Sequence, residues 1–403
     1  MVMSVSIDSV PARSRSVLLA CAFRPFFLLT ALYAMVLITA WLGVWFRGWP
    51  LTGQAPLLHW HAHEMLFGMV AAAIAGFLVT AMANWTGTRP LAGVGLVLML
   101  LLWVVGRVAM WLTAYLPPIV ILIADAAFFL ALAVFAARVI EGAGNRRNRV
   151  MILILAMLLL ANVLSHLGMW WLGPAWMQSG ERLAFFLVVL LMVIIGGRIT
   201  PAFTRNWLMR RGRSTESIRS WPMLDHIAVG SVALLALAAV FNAPGDWLSG
   251  IAMLAGLSNG LRLLGWSGWQ GRSDPLIWVL HLGHAWIVIG LLILGAGLFV
   301  PDLPQSAWLH ALGTGAMGTL ILGVMTRVAL GHTGRELKLP SMAWLIYLAI
   351  SVAAVVRVLS ALGWLEGRAP LMLAAVGWVV AFGLFLVLYW PILSAPRVDG
   401  QDG

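Results

Sequence analysis

The stretch "LLHWHAHEMLFGMVAAAIAGFLVTAMA", residues 57–83, decides the fold. As a helix rising 1.5 Å per residue it is about 40 Å long, more than the roughly 30 Å of a bilayer's hydrocarbon core. From Met65 onward it carries no charge. Its first turns hold His59, His61, His63 and Glu64. Ionisable groups are costly in such a setting, so a cluster of them at the head of an apolar helix points to a site.

The rest of the chain has the same character. Of 403 residues, 62% are hydrophobic and 10% charged, and the mean hydropathy is +0.97. A soluble domain carries about 25% charged residues, so this chain needs lipid around it. Long apolar runs predict an all-α polytopic membrane protein with twelve helices. They fall near 25–46, 57–83, 91–113, 118–140, 150–172, 181–203, 223–241, 246–266, 274–297, 305–331, 342–363 and 369–391. Short alternating strands are absent from the pattern, which argues against a membrane β-barrel. One twelve-helix domain is expected at 17–393, flanked by loose tails at 1–16 and 394–403. Arg24-Pro25 interrupts the first apolar run, so residues 1–16 are read as a tail and not as a cleaved signal.

The net charge of +11 is not a nucleic-acid signature, because the arginines sit in short loops between apolar runs. Arg89, Arg146, Arg147, Arg149, Arg205 and Arg210 are among those on one side, and Arg47, Arg182 and Arg368 are on the other. The asymmetry predicts both termini in the cytoplasm. The longest loop, "TRNWLMRRGRSTESIRSWP" (204–222), then faces the cytoplasm. Cys21 is the only cysteine, so thiolate metal sites and internal disulfides are excluded and imidazole sites stay open.

A shift of 247 residues lays His63, Gly68, Gly76, Thr86 and Gly87 onto His310, Gly315, Gly323, Thr333 and Gly334. This internal repeat pairs the second helix with the tenth. A looser match at Asn206-Trp207 makes the second, sixth and tenth helices corresponding members of three four-helix units. His59 and His63 share a helix face, while His61 points about 160° away, so no single ligand meets all three. His61, His63 and His310 lie at similar depth, and His281 lies deeper. Haem or metal ligation fits buried histidines on facing helices. Glu64 is placed to orient a ligand ring from behind. Arg107 and Arg357 suit haem propionates. His59, His166, His284 and His226 have plainer readings as interfacial, backbone-bonded or capping residues. Asp125, in the middle of an apolar helix, requires an arginine partner. No phosphate loop, dinucleotide fingerprint or zinc-protease motif is present.

Five segments in order, "FRPFF" (23–27), "WHAHEMLFG" (60–68), "NWTG" (84–87), "LHLG" (280–283) and "MTRVALGHTGR" (325–335), resemble the signature segments of the NnrS family over almost the whole chain. The resemblance implies a bacterial inner-membrane protein holding haem and copper and serving tolerance of nitric oxide. It carries the family's histidines onto His61, His63, His281, His310 and His332, and adds Arg327 from the "MTR" segment. The helix count is also similar to the catalytic subunits of haem-copper oxidases and nitric oxide reductases, although their adjacent histidine pair is missing here.

Two functions from different classes follow. In the first, His63 and His310 are the leading haem ligands, with His61 and His281 next, and the iron binds or processes nitric oxide with electrons from an outside donor. In the second, the chain is a secondary transporter whose anionic substrate meets Arg107, Arg327 and Arg357. A scaffold for a haem enzyme is a third, weaker reading.

Overall fold

The computed structural model describes residues 16–50, 53 and 55–401. The expected N-terminal tail, apart from Ser16, lies outside the described residues, as do Arg13 and Arg15.

Twelve helices are long and apolar enough to cross a membrane among the described residues. They are α1 (Phe23–Arg47), α2 (Leu57–Thr86), α3 (Val94–Trp111), α4 (Pro118–Gly142), α5 (Arg146–Leu172), α6 (Pro174–Arg210), α7 (Pro222–Val240), α8 (Gly245–Gly265), α9 (Pro275–Leu298), α10 (Gln305–His332), α11 (Trp344–Ala361) and α12 (Arg368–Leu393). Helices satisfy every backbone polar group within one segment, the condition lipid imposes. Proline opens α4, α6, α7 and α9, where a missing N–H costs nothing. At the start of α9 the Asp274 carboxylate also accepts from the Leu276 N–H at 3.0 Å.

Neighbouring helices pack mainly in chain order, and α1 closes the arrangement against α12. The buried guanidinium of Arg24 donates to the carbonyls of Leu393 and Ala395 at 2.7 and 2.8 Å, so the start of α1 and the end of α12 lie at one end of the bundle. The C-terminal segment is not loose as expected. Val398 N–H donates to Thr333 at 3.2 Å and Arg397 to the His332 carbonyl at 3.0 Å, tying it to the end of α10.

The most apolar window of α2 is 83% buried and those of α6 and α10 are 67% buried, against 33% for α4, α7, α11 and α12. The second, sixth and tenth helices therefore form the middle of the bundle. Between them lies an apolar cavity of about 100 Å³ lined by Val70, Phe77, Leu191, Ile195, Met317 and Val324 among others.

Two expectations need correction at α6. It starts at Pro174, not 181, and runs to Arg210, not 203, so residues 174–180 are helical and the 204–222 loop shrinks. The extension is stabilised by apolar packing of Trp207, Leu208, Ile218 and Ile277, and the Trp207 indole donates to Asp274 at 2.7 Å.

The chain departs from regular α-helix at matching places in α2 and α10. Glu64–Val70 and Ala311–Met317 are π-helical, and the 247-residue shift carries one onto the other. Each begins immediately after a histidine, His63 or His310, and π turns recur at functional sites. Among the described residues α6 shares their central position but not the π turn.

Candidate metal centres

The histidines separate into three groups, because the rings of one helix leave on different faces. The first group lies between α2, α4 and α5, in the half of the bundle away from the termini. Its centre is Asp125 of α4, fully buried. Arg107 of α3 donates to Asp125 Oδ1 and to Glu64 of α2. The Asn162 amide of α5 donates to Asp125 Oδ2 at 2.6 Å, and His166 Nε2 sits 2.9 Å from that oxygen. His63 Nδ1 lies 3.0 Å from Glu64 Oε1, and its Nε2 is 3.1 Å from Asp125 Oδ2 without hydrogen-bond geometry. Tyr33 of α1 donates to Glu64, and the Trp111 indole donates to the Tyr33 hydroxyl at 2.9 Å. Gly68 makes room for this: a Cβ there would stand 2.7 Å from the Tyr33 ring and 3.1 Å from Arg107 Nη1. Towards the bundle end, His59 Nδ1 pairs with Glu181 of α6.

The second group is His61 of α2, His310 of α10 and Arg357 of α11. The two rings interact electrostatically with Arg357, and His310 also with His61. All three side chains are half-buried. A Cβ added to Gly313, three residues beyond His310, would meet nothing within 4 Å. His310 Nδ1 donates to the Ser306 carbonyl at 2.7 Å, which leaves Nε2 as the bare nitrogen. His61 stacks on Trp41 with ring centres 4.3 Å apart, and its Nδ1 has no hydrogen-bond partner.

The third group lies in the half nearer the termini, between α6 and α9. His281 Nε2 donates to Thr204 Oγ1 at 2.9 Å, and His284 Nδ1 donates to the Leu280 carbonyl at 2.8 Å. Trp266 closes over both rings, with centres 6.3 Å and 4.9 Å away. Each ring keeps one buried nitrogen without a partner, turned against Gly268 or Gly196.

The structure therefore joins His310 with His61 and Arg357, and joins His63 with His166 and Asp125. His281 belongs with His284, away from both. His332 stands apart, its ring 5.5 Å from Phe23. Arg327 lies over the Phe203 ring at 4.1 Å, within electrostatic reach of Asp274 and Tyr347. Arg107 has both terminal nitrogens on carboxylates, whereas Arg357 is the guanidinium within electrostatic reach of His310.

Sequence reasoning understated His166 and did not find Asn162, Tyr33 or Glu181 as members of the network. One signal was available: Asn162 and His166 stand four apart in an otherwise apolar helix, which puts both on one face. The Tyr33 and Glu181 contacts cross between helices and leave no spacing to read.

Chemically, the first group offers two imidazoles and a carboxylate with their ligand atoms all within 4.8 Å of one another, the one such group of three among the described residues. The second offers two imidazoles and a guanidinium within electrostatic reach of one another. Among curated proteins, no relative matches the chain. The family model described as NnrS protein matches residues 17–397. The helices and the clustered polar residues they bury lie within that match, and the chain belongs to the NnrS family.

Proposed function

We propose that this protein is a haem- and copper-binding protein of the bacterial inner membrane, with both termini in the cytoplasm, that binds or processes nitric oxide. The observation that carries the reading is the grouping of His61, His310 and Arg357, half-buried side chains from three helices within electrostatic reach of one another. Two imidazoles on different helices suit axial ligation, and a guanidinium at the same place suits a propionate.

The donor set fits a haem. Ser306 fixes the tautomer and orientation of His310, leaving Nε2 free to ligate. His61 is held by stacking on Trp41 and has no such hydrogen bond, so His310 is the anchored ring and His61 the exchangeable one. A haem held there would supply an iron able to bind nitric oxide, with His61 the ring that yields to it. The apolar cavity between α2, α6 and α10 suits a small neutral gas, since apolar cavities stay dry and admit such molecules. Electrons for turnover come from a donor outside this chain.

The test is optical. Pure protein from haem-sufficient cells should show a Soret band that shifts on addition of nitric oxide, and His310→Ala should lose at least nine-tenths of the haem. A folded His310→Ala protein with the wild-type haem content and spectrum refutes the assignment. Uptake of a small anion into proteoliposomes by haem-free protein would favour the transporter reading.

A further inference from the structure

The buried network around Asp125 is short of one positive charge. Glu64 and Asp125 are both fully buried, and Arg107 is the one arginine paired with either of them among the described residues. Tyr33 donates a neutral hydroxyl and Asn162 a neutral amide. Two carboxylates against one guanidinium leave an excess negative charge deep in an apolar bundle, where an uncompensated charge is costly.

The ring nitrogens show where a cation fits. His63 spends its Nδ1 proton on Glu64, so in the neutral ring Nε2 carries a lone pair. That lone pair stands 3.1 Å from Asp125 Oδ2 with no hydrogen bond between them. His166 Nε2 donates to the same oxygen at 2.9 Å while its Nδ1 has no partner, so a shift of the ring proton to Nδ1 makes Nε2 a ligand atom. Three candidate ligand atoms thus converge on one point, from α2, α4 and α5. Ligands bound at roughly 2.0–2.1 Å in a tetrahedral shell stand about 3.3 Å from one another. The observed separations are a little shorter, so a few tenths of an ångström of outward movement opens the shell.

We infer that His63, Asp125 and His166 bind one divalent transition-metal ion, with Glu64 holding the His63 ring and Arg107 and Asn162 holding the carboxylate. Two imidazoles and one carboxylate, with no thiolate, suit Cu(II), Zn(II) or Fe(II), and the general affinity order places Cu(II) first. The site gives the copper of the proposed function a location separate from the haem, on the opposite face of α2. In that respect it rests on that reading, but it can fail separately.

The experiment uses the full chain in detergent, stripped by a chelator and titrated with Cu(II), then read by electron paramagnetic resonance and metal analysis. The expected result is one tightly held copper per chain, with hyperfine coupling to two imidazole nitrogens. His166→Gln should weaken binding at least tenfold and remove one nitrogen coupling, while the Soret band from haem at His61 and His310 stays. Asp125→Asn should weaken copper binding with both nitrogen couplings kept. If His166→Gln does not fold, the wild-type nitrogen count and Asp125→Asn decide. Wild-type protein that takes up no copper tightly, or binding unchanged in the folded variants, overturns the inference; a proton on His63 then balances the charge. Protein with haem and no copper loses this inference alone, and protein with copper here and no haem loses the haem reading alone.

Discussion

Replacing Arg107 by glutamine tests whether the polar network is a single electrostatic unit. The Arg107 side chain is 6% exposed, Glu64 0% and Asp125 1%, so water cannot screen what the substitution leaves behind. Removing one partner of a buried ion pair costs about 3–5 kcal/mol. Here one guanidinium serves two carboxylates, so the upper end of that range applies. At about 1.4 kcal/mol per factor of ten, the unfolding equilibrium should move by roughly three to four powers of ten. The triple variant Arg107→Gln, Glu64→Gln, Asp125→Asn carries no charge in the network and should recover most of the loss, since well-packed neutral replacements of buried ion pairs are often nearly neutral. Denaturant or thermal unfolding in detergent, with helicity as the signal, measures all three proteins. A single variant as stable as wild type, or a triple variant less stable than the single one, refutes the reasoning.

Further outcomes follow from other contacts. Gly68→Val should lower stability by about 1–3 kcal/mol through overpacking, because its Cβ would press on Tyr33 and Arg107; unfolding curves matching wild type contradict this. Thr204→Val should cost about 1–3 kcal/mol by leaving His281 Nε2 buried without an acceptor, while His63 and His310 chemistry stays unchanged by spectroscopy. In the C-terminal segment, Arg397 holds the exposed Asp399 carboxyl down to about 2. This group is depressed below its ordinary value near 4, so its contribution is complete above pH 4 and is lost as pH falls through about 2. The Arg397–Asp399 contact should therefore persist at pH 4 by nuclear magnetic resonance, and Asp399→Asn should release it at every pH.

Much of the fold was legible in the sequence because lipid leaves few choices. Apolar length identifies a span, and in the structure prolines at 118, 174, 222 and 275 open helices. The extension of α6 past Phe203 was not legible, because its apolar partners Ile218 and Ile277 come from separate segments. Asp125 required an arginine on physical grounds alone, but that the partner is Arg107 is a tertiary fact. Spacing on α2 showed that His61 and His63 leave on different faces. It could not show which of them meets His310, since that depends on how α2 and α10 are rotated through their π turns. The internal shift paired the two π-helical segments in advance, although nothing in residue type announces a π turn there.

The central claim is that His61 and His310 grip a haem. Its most direct measurement is the optical spectrum, with iron and haem content, of pure wild-type and His310→Ala protein before and after nitric oxide. One haem per chain, a Soret shift with the gas, and loss of both in the variant are predicted. Haem-free wild-type protein after haem-sufficient expression, or a folded variant with an unaltered spectrum, would contradict it.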